Sequence, residues 1–410
     1  LDAFLAQVDE WIASRPDLAT ISDAQLLDYG RTMAKRQNET WDVYAQVVIG
    51  ATVGPSIVSG IADAVGKPEL AIRIFAALGE VASAGLPERV WELSRLPQDS
   101  PEFAAKFDAL IADFGHRGVN EWELSADTWQ INPQLAYDMI DRVRQQDESL
   151  SPSIRAAQAL QQRLAAEAEL AEAVAADEAT AGMLAAGISA GQTAYRNREA
   201  GKNAAVKMYA EPKLAFRELG RRMAERGKIA DPRHIFMLLD SELDGFIADP
   251  DGWSATLADR YEQWLTLFEL DPPYVVMHGT PIPPISQWPK KKDRGGSAEP
   301  VGAVLKGIAG SPGVVTGRTR YLSDLSHADE LEPGEILVCS TTDPSWVPLF
   351  MISSAVICEI GAPGSHAVIV SRELGVPCVV AATGASHKLP TGTLIELDGS
   401  TGTITVLETA

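Results

Sequence analysis

Cysteine is scarce. The 410 residues hold three, Cys339, Cys358 and Cys378, all in the last fifth of the chain and each inside an apolar, strand-like run. Three thiols so placed make neither a disulfide frame nor a zinc site; they read as buried free thiols in a reducing compartment, so a cytoplasmic location is expected. Basic residues are also in deficit, with 35 Lys and Arg against 56 Asp and Glu and a formal charge of -21. Phosphate backbones are held by an excess of Lys and Arg, so no nucleic-acid partner is expected. No eighteen apolar residues run together and no basic-then-apolar leader opens the chain, so no membrane partner is expected either. There are six histidines. No two stand at metal-ligand spacing, and no metal held by this chain is expected.

What is present falls into two grammars. From Leu1 to about Phe268 the pattern is helical: "LDAFLAQVDEWIASRP" spaces its apolar residues by three and four and stops at Pro16. Ser22 and Asp23 are cap candidates for the next helix. The Ala/Glu-rich run 153–200 reads as long bundle helices, because its apolar spacing is too irregular for a coiled coil. After Pro281 comes "PIPPISQWPKKKDRGGSAEP", rich in proline, with paired glycines and a basic run, which reads as an interdomain hinge. From Val301 the chain is short, Gly-punctuated strands around one helix, "HAVIVSREL", closed by Gly375 and Pro377. The expected fold is therefore an all-helical domain at 1–285, a flexible linker at 286–300 and a small α/β domain at 301–410.

Within "EIGAPGSHAVIVSRELGVPCVV" the turn delivers one histidine, His366, to a helix N-terminus with Gly364 and Ser365 before it. Ser365 can cap that helix, whose free N–H groups suit an anion. A neutral imidazole there can attack phosphorus and carry it as phosphohistidine, a task that needs no catalytic triad.

The phrases "GSPGVVTGRTR", "GEILVCSTTDPSWVPLF", "EIGAPGSHAVIVSRELGVPCVV" and "LDGSTGTITVL" resemble the swivelling phosphohistidine domain of PEP-utilising enzymes, in that family's order. "GAPGSH" departs from the more usual Gly-Gly pair but keeps Ser-His. The resemblance implies that His366 is the phosphorylated residue, supported by Gly364, Ser365 and Arg372. "FGHRGVNEWELSADTWQINP" and, more loosely, "AYRNREAGKNAAVKMYAEPKLAFRELGRRM" resemble the substrate domain of rifampin phosphotransferases. The arrangement also resembles that of the phenyl- and 4-methylphenyl-phosphate synthase subunits. No Gly-rich phosphate loop backed by strands is read in the chain. ATP and Mg²⁺ are therefore expected on an ATP-grasp-type partner subunit or a further domain.

The resemblance directs attention to six residues of the helical half. Glu121 and Glu123 stand two apart, so on an extended segment both carboxylates face one side and Trp122 the other. His116 and Arg117 precede them. Arg198 and Lys202, at i and i+4, share a helix face and could neutralise a phosphoryl group in transit. A glutamate or His116 could take the acceptor's proton. The implied reaction passes the β-phosphate of ATP through His366 to a hydroxyl of a small aromatic acceptor, giving AMP and phosphate. Two other readings are an antibiotic phosphotransferase fragment and a phosphorelay or binding protein without catalysis. His234, His278, His327 and His387 read as structural or exposed.

Overall fold

The computed structural model describes all residues except 80–84, 119, 274–275, 291–297 and 344–345, together with the side chains at 149, 326 and 329. The helical half is organised on one long helix, Glu178–Glu225. Asp177 caps it by accepting from Ala179 N and Thr180 N, and this cap separates it from the helix Pro152–Val174. The helix Asp23–Gly50 opens with a reciprocal capping box between Ser22 and Gln25. Its Leu26 and Leu27 pack with Phe216, Leu219 and Met223 of the long helix. The helix Val53–Ala64 crosses closely, because a Cβ on Gly54 would lie 2.4 Å from Gly191 N. The run Asp23–Ala64 contains a window apolar enough to pass for a membrane span by length and composition. Its helices end at Gly50 and resume at Val53, and both lie along the long helix. Arg222 turns inward from the Arg/Glu-rich end of the long helix and holds the carbonyls of Leu18 and Ile21.

The last α-helix of the helical half ends at Leu267. The proposed tether at 286–300 begins in a 3₁₀ turn, Ile285–Gln287; its 291–297 portion lies outside the described residues. The strands are β1 (Val304–Lys306), β2 (Ile308–Ser311), β3 (Val314–Tyr321), β4 (Ile336–Cys339), β5 (Ala355–Cys358), β6 (Cys378–Val380), β7 (Leu394–Asp398) and β8 (Thr403–Glu408). They form one mixed sheet in the order β1-β8-β7-β3-β4-β5-β6-β2. The run β3-β4-β5-β6 is parallel. Strands β4, β5 and β6 are buried at every position, as parallel strands covered on both faces must be. The three free cysteines sit in them, buried. The chain is thus a helical domain followed by a small α/β domain.

The two halves share a core. Trp91, Phe103, Trp129 and Ile140 of the helical half and Trp346, Phe350 and Met351 of the α/β half belong to one buried cluster. Polar contacts reinforce this docking: Asn120 N donates to Asp343 Oδ2 at 3.3 Å, and Arg155 Nη1 to the carbonyl of Met351 at 3.3 Å.

Candidate active site

Between β5 and β6 the chain turns through Gly361–Gly364 and enters the helix His366–Leu374. Ser365 N donates to Ala362 O at 2.8 Å and closes the turn. Gly375, at φ 64°, ends the helix in the left-handed conformation that glycine adopts without strain. Ser365 occupies the N-cap position, but its hydroxyl does not cap; the Oγ is buried without a partner.

The His366 ring is held from two directions. Its Nδ1 lies 3.1 Å from Thr342 Oγ1, on the loop after β4, and Phe350 meets the ring edge-on at 6.0 Å. The ring borders an interdomain cavity of about 610 Å³, together with Arg117, Glu199 and Lys202. Burial, then the positive charges of Lys202, Arg117 and Arg198, holds His366 well below the usual histidine range. Its imidazole is therefore neutral.

Behind the cavity wall lies a buried polar network. Arg117 Nη1 donates to both carboxylate oxygens of Glu121, at 3.3 and 3.1 Å, and Arg117 Nη2 donates to Asn203 Oδ1 at 2.9 Å. Lys213 Nζ donates to the Glu121 carbonyl at 2.9 Å. Burial lowers the Lys202 ammonium below its ordinary value, against the pull of Glu121 and Glu199.

Of the residues singled out from the sequence, His366, Arg117 and Lys202 meet in the cavity. Arg198 stands next to it, paired with Glu199 at 2.7 Å. Four expectations are corrected. Residues 120–126 are not extended but form successive turns, with Glu123 N on Asn120 O and Ala126 N on Glu123 O. Glu121 is consequently buried on Arg117, whereas Glu123 accepts from Ser125 Oγ at 2.8 Å. His116 is not placed to take an acceptor's proton. Its Nε2 lies 3.0 Å from Asn203 Oδ1, an oxygen that also receives Arg117, so Nε2 must be the donor. Arg372 turns away from His366 and donates through Nε to the Gly310 carbonyl at 2.7 Å, bracing the helix against β2. The Ser365 hydroxyl does not cap, as described above.

Residues 331–402 match the model of the PEP-utilising enzyme mobile domain, and residues 58–199 that of the rifampicin phosphotransferase fourth domain. The α/β half thus carries the mobile domain of PEP-utilising enzymes, and the helical half part of a rifampicin phosphotransferase fourth domain. Among its relatives, an uncharacterised protein of Mycobacterium tuberculosis is 32% identical over 87% of this chain and 37% of its own length. The prodigiosin synthesizing transferase PigC of Serratia marcescens is 29% identical over 78% of this chain and 35% of its own. A rifampicin phosphotransferase of Streptomyces sviceus is 28% identical over 77% and 36%. The chain therefore spans about a third of the length of these curated relatives.

Sequence reasoning missed Thr342, Glu199, Asn203 and Glu373. Thr342 lies in "STTDPSW", and its place in that quoted family phrase was the one signal the sequence offered. Glu199 was hidden by its neighbour, because only the i, i+4 pair Arg198 and Lys202 was read as one face. A second cavity, of about 790 Å³, lies on the other side of the His366 ring and is bordered by Thr342, Ser365 and His387. His387 Nε2 is buried there without a partner. Among the described residues no three His, Cys, Asp or Glu side chains gather as they would around a metal, and no step is assigned to a metal on these residues.

Proposed function

We propose that this chain is the carrier and acceptor-binding part of an ATP-dependent phosphotransferase with a phospho-His366 intermediate. The observation that carries the reading is a neutral, half-buried imidazole that borders one partly open interdomain cavity with Arg117 and Lys202. We take Nδ1–H as the donor to Thr342 Oγ1, which leaves the lone pair on Nε2 to attack phosphorus. On an ATP-grasp-type subunit or domain, His366, ATP and water give phospho-His366, AMP and inorganic phosphate. The α/β domain then docks as described, and an acceptor hydroxyl displaces the phosphoryl group from Nε2. Arg117 and Lys202 offset the charge on the transferring oxygens. Glu199, the carboxylate beside them in the cavity, takes the hydroxyl proton.

The cavity volume supports a small acceptor, since sites for such molecules span about 300–1,000 Å³. Its apolar wall, including Leu86, Leu160, Val347 and Ile369, supports a phenol- or cresol-like ring. A rifamycin-like acceptor is the second reading, favoured by the fourth-domain match. A cavity at the histidine deep enough to be lined by both halves of the chain supports an enzyme over a relay protein, which needs only an exposed docking surface. Free, buried thiols support a cytoplasmic location. The test is to charge the chain with phosphoramidate, add a panel of phenols and follow aryl phosphate by ³¹P NMR. The proposal expects aryl phosphate from wild type and none from His366→Ala; phospho-His366 that never yields to any hydroxyl compound contradicts it.

A further inference from the structure

The carrier helix contributes more than its histidine to the cavity. His366, Ile369, Val370 and Glu373 all line it; spaced by three and four, they form one helix face. Seven residues at 1.5 Å each set Glu373 about 10 Å along the axis from His366. The acceptor cavity is thus walled on one side by the moving domain.

Glu373 is held in a built setting. Leu78 N donates to Glu373 Oε1 at 3.3 Å, while the Leu78 carbonyl accepts from Arg196 Nε and Nη2 at 3.3 and 3.1 Å. On either side of Leu78, Ala77 and Gly79 have φ of 47° and 58°. This left-handed turn presents the N–H and the carbonyl of one residue, Leu78, to the two partners. Burial and, more weakly, Glu199 push the Glu373 carboxyl up to about 7, against the Leu78 N–H, Arg163 and Arg196.

The charges divide by position. Lys202, Arg117 and Arg198 act on His366, whereas those acting on Glu373 are Glu199, Arg163 and Arg196. Neither Arg163 nor Arg196 lines the cavity, whereas Glu88 and Glu199 do, so that with Glu373 it holds three carboxylates. Between the two ends the helix face is Ile369 and Val370. A ligand complementary to this cavity carries its hydroxyl at the cationic end, an apolar body, and a positive group at the carboxylate end.

We propose that Glu373 selects the acceptor, receiving a basic nitrogen about 10 Å from the hydroxyl that is phosphorylated. The inference rests on the cavity being the acceptor site. A bound ammonium favours the ionised carboxylate, so binding releases a proton from Glu373. For a group titrating at about 7, that is about half a proton per ligand at pH 7 and nearly a whole one at pH 6.

The test compares 4-(4-aminobutyl)phenol, whose nitrogen and oxygen match the span, with 4-butylphenol. Both are titrated calorimetrically into the uncharged chain in two buffers of different ionisation enthalpy. The amine is expected to bind at least tenfold more tightly and to release protons as above. Glu373→Gln, its fold checked by melting, is expected to bind the two phenols alike with no proton release. Equal binding of the two phenols by wild type overturns the inference. So does an amine preference that survives the substitution, or no binding of either phenol. Phosphoramidate charging of His366 is read separately. A chain that cannot be charged defeats the phosphotransferase reading whichever phenol it prefers, and a charged chain without the amine preference defeats only this one.

Discussion

Replacing Lys202 by Met removes one cavity cation and keeps most of the stem volume. The perturbation acts at two points. Lys202 is the largest charge effect on His366 after burial, so its loss lets the imidazole titrate closer to the ordinary value of about 6.5. It also removes one of two cations lining the cavity where the phosphoryl charge passes. Loss of a single preorganised charge-stabilising group costs about 10²–10³ in rate, or roughly 2.7–4 kcal/mol of barrier. The assay is single-turnover decay of phosphoramidate-charged chain in excess phenol, with the His366 titration followed by NMR. Transfer slowed about 100-fold or more, with a raised His366 pKa, is expected. Lys202→Met that transfers within threefold of wild type, or leaves the His366 titration in place, refutes the assignment of Lys202 to the transferring phosphoryl group.

Thr342→Val removes the partner of Nδ1 while preserving shape. Charging by phosphoramidate is expected to slow by roughly 2- to 10-fold, the worth of one hydrogen bond, and ¹⁵N NMR should show a mixture of imidazole tautomers in place of one. Glu121→Leu strands the buried Arg117 guanidinium, and denaturant unfolding should show a loss of about 3–5 kcal/mol. The pH dependence follows from burial. His366 and His116 both titrate well below 6.5 in the fold, so the unfolded chain binds more protons as the medium acidifies. Stability should fall as pH drops through about 6.5, less steeply than the two histidines alone would give, because Glu373, held up to about 7, takes up a proton in the fold over the same range. Charging of His366, in contrast, should persist at pH 6, where a solvated histidine is mostly protonated.

The carrier half was legible because its signals are local. Gly-bounded apolar runs gave β4 to β7, and the turn before "HAVIVSREL" gave His366 its place. Helical periodicity likewise gave the long helices, but the break that Asp177 caps lay unread inside the run 153–200. Partnerships between distant segments were not legible. Thr342 reaches His366 across 24 positions, and Asn203 joins His116 and Arg117 across more than 80. Spacing misled at Glu121 and Glu123, where period-two logic presumes a strand and the chain makes turns around a buried arginine. Glu373 was passed over because an acidic residue in the last turn of a helix reads as solvated. Docking of the two halves leaves it half-buried, with Leu78 N donating to its carboxylate.

The central claim is that His366 carries phosphate on Nε2. It is tested most directly by treating the chain with phosphoramidate and recording ³¹P–¹⁵N correlated NMR on wild type and His366→Ala. The account predicts one acid-labile phosphoryl group, on Nε2 of His366, that is absent from the variant. Phosphate found on another histidine, or equal labelling of the variant, contradicts it.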